Sequence, residues 1–159
     1  MSIKKWPVWR TVELGMYKNA VEMIIAIQNR EIFVSDVGIE MLNNIPYLDS
    51  RQKLCLAVLS VEELGIFAKV TTTKRVYTVA KKLGLSLCPE EVGPQLRIEY
   101  KDQPDGETLF IAMEPVLISS GYEKMFDVKC QGGKKWLGFT SGSSNYTWRP
   151  FDRFVFVIQ

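Results

Sequence analysis

The sequence contains no histidine. That absence removes the Ser-His-Asp triad, the Cys-His dyad and every imidazole-ligated metal centre, because each depends on a ring nitrogen that titrates near neutral pH. Nor is there a run approaching the ~20 apolar residues that cross a bilayer. The longest apolar segment, 54–59, has the length of a buried strand. The three cysteines, Cys55, Cys88 and Cys130, are odd in number, widely spaced and without a Cys-x-x-Cys pair. They predict neither a disulfide scaffold nor a zinc site, and they fit the reducing cytoplasm.

Neither Gly-x-Gly-x-x-Gly nor Gly-x-x-x-x-Gly-Lys-Ser/Thr occurs, so no standard phosphate loop and no cofactor are implied. The opening Met-Ser-Ile-Lys-Lys-Trp-Pro has no continuous apolar core, and a secretory leader is not expected. The 20 basic and 18 acidic residues are interspersed and give a net charge of +2. No basic stripe of the kind that neutralises a row of phosphates is present, which argues against duplex nucleic acid as a partner.

What remains is an ordinary globular composition, 47% hydrophobic and 24% charged over 159 residues, which predicts a single domain, 1–159, with one core. The fold class read from the pattern is α+β: an N-terminal strand and helices packed on a predominantly antiparallel sheet completed by a C-terminal β-meander. Val8 to Leu14 alternates as a first strand. Asn19 with Glu22 three residues on marks a helix start, and Ser35 or Asp36 caps a second, short helix. Lys53 to Val61 is apolar on both faces and is expected at the centre of the sheet. Thr71-Thr-Thr73 opens a third helix that Gly84 stops.

Beyond Leu85, turn signals at 104–106, 119–121 and 132–133 separate short β-rich runs. The expected strands are 96–101, 108–113, 124–129, 136–140 and 154–158. In a strand over 96–101, Arg97 shares a face with Glu99 and points away from the core. Its planar donor fork suits a carboxylate or phosphate, and Gln95 and Tyr100 flank it. Tyr146, Trp148 and Arg149 form a second aromatic and basic group, the lip expected for a pocket.

Glu90, Glu91, Glu99 and Glu114 could in principle act as carboxylate pairs, although surface glutamates are common. Cys88 could be a nucleophile only with a basic neighbour or a helix N-terminus, and its adjacent glutamates oppose that.

Several motifs carry a resemblance. Trp9-Arg-Thr-Val-Glu-Leu-Gly15, Leu83-Gly-Leu-Ser-Leu-Cys-Pro89, Glu91-Val-Gly-Pro-Gln-Leu-Arg97, Tyr100-Lys-Asp-Gln-Pro104, Ile111-Ala-Met-Glu-Pro115 and Arg153-Phe-Val-Phe-Val157 span nearly the whole chain. In them the chain resembles an uncharacterised family of small single-domain bacterial and phage-associated proteins. The resemblance implies one domain and carries no mechanism.

The residues favour binding over catalysis. The first expectation is capture of a small anionic or nucleotide-like ligand between the Arg97 segment and the aromatic loop. A phage-encoded trap for a bacterial immune signal would be one instance. The alternatives are a protein-interaction module anchored by Tyr146, Trp148 and Phe151, and a carboxylate-based hydrolase. No metal, cofactor or membrane partner is expected, and self-association into a homo-oligomer is left open.

Overall fold

A computed structural model describes residues 5–159; the four residues before them, part of the stretch read above for a leader, lie outside the described residues. After β1 (Arg10–Leu14) comes α1 (Ala20–Gln28), capped as the Asn19/Glu22 spacing predicts. The Glu22 N–H donates to Asn19 Oδ1 at 2.9 Å, and the Lys18 N–H donates to Glu22 Oε2 at 2.8 Å, one residue earlier than in the standard capping box. Next, β2 (Phe33–Val34) leads into α2 (Asp36–Asn44), where Ser35 Oγ accepts from the Gly38 N–H.

Then follow β3 (Gln52–Ser60), a 3-10 turn over Glu62–Leu64, and β4 (Thr71–Thr72), which runs into α3 (Thr73–Lys82) with Thr72 as its cap. β5 (Leu85–Ser86) precedes α4 (Val92–Glu99). The C-terminal part consists of β6 (Thr108–Ile111), β7 (Val116–Leu117), β8 (Glu123–Gln131), β9 (Lys134–Ser141), β10 (Thr147–Trp148) and β11 (Arg153–Ile158). The class is α+β. No helix among the described residues is long and apolar enough to cross a membrane.

The main sheet has the order β1-β3-β11-β6-β8-β9-β2, with β5 alongside β11 and β7 alongside β8; β4 and β10 pair separately. It is mixed where a predominantly antiparallel sheet was expected, because β11 lies parallel to β6 and β2 parallel to β9. The cause is the return path of the chain. β8 and β9 close a hairpin at Gly132-Gly133, and β11 then comes back to fill the slot between β3 and β6. That slot and β6 hold the middle of the sheet, so β3 is second from one edge and not central. Its first half, 52–55, is accordingly not buried.

A second correction concerns 96–101. The segment is the end of α4, not a strand. Pro94 falls in the first turn, where a missing N–H costs the helix nothing. Every residue from Val92 to Ile98 is buried, so there is no polar face to print a 3.6-residue period on the sequence. Leu96, Ile98 and Tyr100, read as one face of a strand, are a buried helix and its last cap.

Candidate anion-binding site

The start of α4 is fixed by a buried carboxylate. Glu91, at 1% exposure, accepts the Gly15 N–H at 2.7 Å and the Leu48 N–H at 2.9 Å, tying the helix to the end of β1 and to the segment before β3. Both oxygens of a residue read as a catalytic candidate are thus engaged by backbone. Gly93 then lets the helix lie against β8: a Cβ there would come within 2.8 Å of Phe126 Cβ. With no side chain in between, the rest of α4 is pressed onto β8 and β9, and Arg97 is carried underneath.

Arg97 is the largest of the fully buried side chains, at 1% exposure, where the strand reading had placed it outward. Its Nη1 donates to Gln103 Oε1 at 2.6 Å and to the carbonyls of Lys129 and Trp136, and its Nη2 donates to the Tyr100 carbonyl at 2.6 Å. These acceptors are all neutral. Nε is buried with no partner, and no described carboxylate lies within ion-pair distance. Glu107 is reached only indirectly, through Gln103 and Tyr100, and is itself paired with Arg153 at 3.1 Å.

Burial pushes the Arg97 pKa down, opposed by Cys130, Tyr100 and Glu107. A guanidinium nevertheless stays charged in proteins. The cost of desolvating it, several kcal/mol per ion, is therefore met mainly by dipoles, with Glu107 helping from beyond ion-pair distance.

Beside Arg97 is a hollow of about 200 Å³ lined by Arg30, Ile32, Arg97, Ile98, Lys101 and Lys135. Arg30 and Ile32 follow α1, Lys101 follows α4, and Lys135 is the second residue of β9. Four of these six side chains are cations and none is an acid, and none of the four is ion-paired among the described residues. Helix ends explain part of this. Arg30 Nη1 donates to the Ala26 carbonyl at 2.8 Å, and a cation after a helix gains about 0.3–1 kcal/mol from the macrodipole. That is too little to account for a buried guanidinium, and it does not bear on Lys135 in a strand.

The other predicted residues are distributed around this centre. Gln95, buried at 3%, donates from Nε2 to Glu99 Oε2 and lines an adjoining hollow of about 270 Å³ that shares Arg30, Ile98 and Lys101 with the first and holds the carboxylates Glu13 and Glu99. Tyr100 donates to Glu107 Oε1 at 2.8 Å, and burial, then that bond, pushes its pKa up to about 12. It is a buried strut, stacked edge-on against Trp9.

Tyr146, Trp148 and Arg149 are not brought to the same place. Trp148 is 2% exposed, packs on Phe110 at 4.6 Å and Phe154 at 4.7 Å, and donates from Nε1 to Thr73 Oγ1 at 2.7 Å. Phe110 stands opposite Asp127 in β8, whereas α4 packs on Phe126. Successive strand residues face opposite ways, so Arg97 and Trp148 lie on opposite faces of the sheet. Tyr146 leans on Trp148 from its exposed side, and Arg149 is exposed.

Cys88 is buried, donates to the Val155 carbonyl at 3.4 Å, and has its thiol pKa pushed up by burial, the opposite of a reactive thiolate. Arg30 and Lys135 had no signal in the sequence, because nothing local brings 30, 101 and 135 together. No family model, curated protein or solved structure matches this chain.

Proposed function

We propose that this chain binds a small anionic ligand of phosphate type in the hollow between the ends of α1 and α4 and the start of β9. The observation that carries the reading is Arg97: a buried guanidinium with neutral partners and a free Nε, bordering a hollow that three further cations line and no carboxylate enters. An incoming oxyanion supplies the missing counter-charge, and charge-assisted bonds in such a setting are about twice as strong as neutral ones. The lining offers donors and apolar walls, which suits capture of the ligand.

The test is thermal melting of the full chain in sodium chloride, phosphate or pyrophosphate at matched ionic strength. Pyrophosphate is expected to raise the melting temperature where chloride does not, by the equivalent of about 2.7 kcal/mol at a hundred times its dissociation constant. Lys101→Ala and Lys135→Ala should each weaken that binding by about two- to fivefold, the worth of one exposed charge. If the cations serve only to offset helix dipoles, the three salts act alike at equal ionic strength, and the reading fails.

A further inference from the structure

The cationic hollow adjoins a larger one, of about 610 Å³, which shares Arg30, Ile32 and Lys135 and adds Glu31, Phe33 and Lys134 among its walls. Three of these additions are unusual for a plain surface. Phe33 is 41% exposed on the edge strand β2, with its ring 5.1 Å from Trp136 and tilted 31° to it. Lysines flank the pair: Lys134 Nζ is 5.3 Å from the Phe33 centroid and Lys129 Nζ is 5.9 Å from that of Trp136. An aromatic pair on a sheet edge can be mere cross-strand packing. An exposed ring backed by a second ring, with the ammonium of a flexible lysine over its face, is also a cationic aromatic surface on which a nucleobase stacks once that lysine swings aside.

Glu31 separates the two accounts. With φ of +57° it is the one described non-glycine residue in the left-handed region. The Ile32 N–H donates to the Ile27 carbonyl and the Arg30 N–H to the same oxygen, so the chain leaves α1 through a left-handed C-terminal turn. Glycine fills that position at lower conformational cost, yet a glutamate stands there. Strain of this kind is concentrated at functional sites. A carboxylate on this wall repels a second phosphate and accepts N–H donors. The wider hollow therefore suits the neutral, N–H-bearing end of a ligand whose anionic end sits at Arg97.

Resting on the anion reading above, we propose that the ligand is a nucleoside phosphate, its phosphate among Arg30, Arg97, Lys101 and Lys135, its base on Phe33 with the N–H edge toward Glu31. A carboxylate accepts two adjacent N–H donors at once, and among the common bases guanine presents such a pair.

The experiment is isothermal titration of the full chain with pyrophosphate, GDP, ADP and UDP. GDP is expected to bind at least tenfold more tightly than pyrophosphate and more tightly than ADP or UDP. Phe33→Ala should bring GDP down to the affinity of pyrophosphate, while Phe67→Ala, at an exposed ring elsewhere, should change neither. Glu31→Gly should raise the melting temperature of the free protein and at the same time erase the preference for GDP, a combination that a purely structural glutamate would not produce.

Nucleoside diphosphates that bind no better than pyrophosphate overturn the nucleotide proposal and leave the anion site standing. A chain that binds neither overturns both. Binding of a single-stranded oligonucleotide with all three nucleoside diphosphates silent would replace the proposal with a polymer site.

Discussion

Trp148 and Arg97 are both large side chains almost wholly removed from water, at 2% and 1% exposure, and they sit on opposite faces of the same sheet. The tryptophan is closed. Three rings, Phe110, Phe154 and Tyr146, surround it, and its one polar atom has a partner in Thr73. The arginine is not closed. It has four hydrogen bonds and no ion-pair partner among the described residues, and three further cations line the hollow beside it. Burial by itself therefore does not separate structure from function. The separation comes from whether a buried group has everything its chemistry asks for.

Substitution can break that comparison. The largest effect is expected from Trp148→Ala, which should destabilise the fold by about 3–5 kcal/mol in chemical denaturation, the usual range for a large core aromatic. Any anion-dependent stabilisation should survive in that variant. Arg97→Met keeps the bulk and removes the charge. Orphaned acceptors at Gln103 and Tyr100 cost about 1–3 kcal/mol each, offset in part by relief of the desolvated ion, so the net loss should be smaller than for Trp148. Stabilisation by pyrophosphate should then be gone. The reverse pattern, with Trp148→Ala losing the anion response and Arg97→Met keeping it, would invert the assignment of the two residues.

Gly93→Ala is expected to cost about 1–3 kcal/mol by forcing α4 away from Phe126, and to weaken anion binding because Arg97 rides on that helix. A neutral melt with unchanged binding would show that the helix can slide. The smallest effect concerns a buried acid on the Trp148 face. Asp127 accepts from Thr140 Oγ1 at 2.7 Å, its Oδ1 has no partner, and burial pushes its pKa up.

For an acid raised in the folded state, the protonated form is favoured by folding. The penalty is absent below the unfolded value of about 3.9, grows as pH rises from there to the folded value, and is constant above it. Asp127→Asn should thus stabilise the protein at neutral pH, and the difference should vanish below about pH 4. Urea melts of both proteins across that range measure it. A gap that stays constant with pH would mean that Asp127 is not the titrating group.

Local chemistry was legible in the sequence. Asn19 with Glu22, Ser35 or Asp36, the threonines 71–73 and Gly84 mark helix ends through bonds between near neighbours, and in the fold Asn19, Ser35 and Thr72 are the caps. The strands around 124–129, 136–140 and 154–158 were readable for the same reason, since turn residues and alternation act over a few positions. α4 was not readable. Its residues are buried on every side, so the polar half of a helical period is missing, and a β-like pair at Leu96 and Ile98 was all that remained.

Sequence alone determined that this chain has a globular composition, no imidazole chemistry and an arginine set in a stiff, Pro-framed segment. Only the tertiary structure decided that the arginine points inward, that Trp148 is across the sheet from it, and that Arg30, Lys101 and Lys135 converge beside it. The physical reason is range: caps and turns are settled by bonds within a few residues, whereas the charge around a buried group is set by whichever distant strands and helix ends the core brings together.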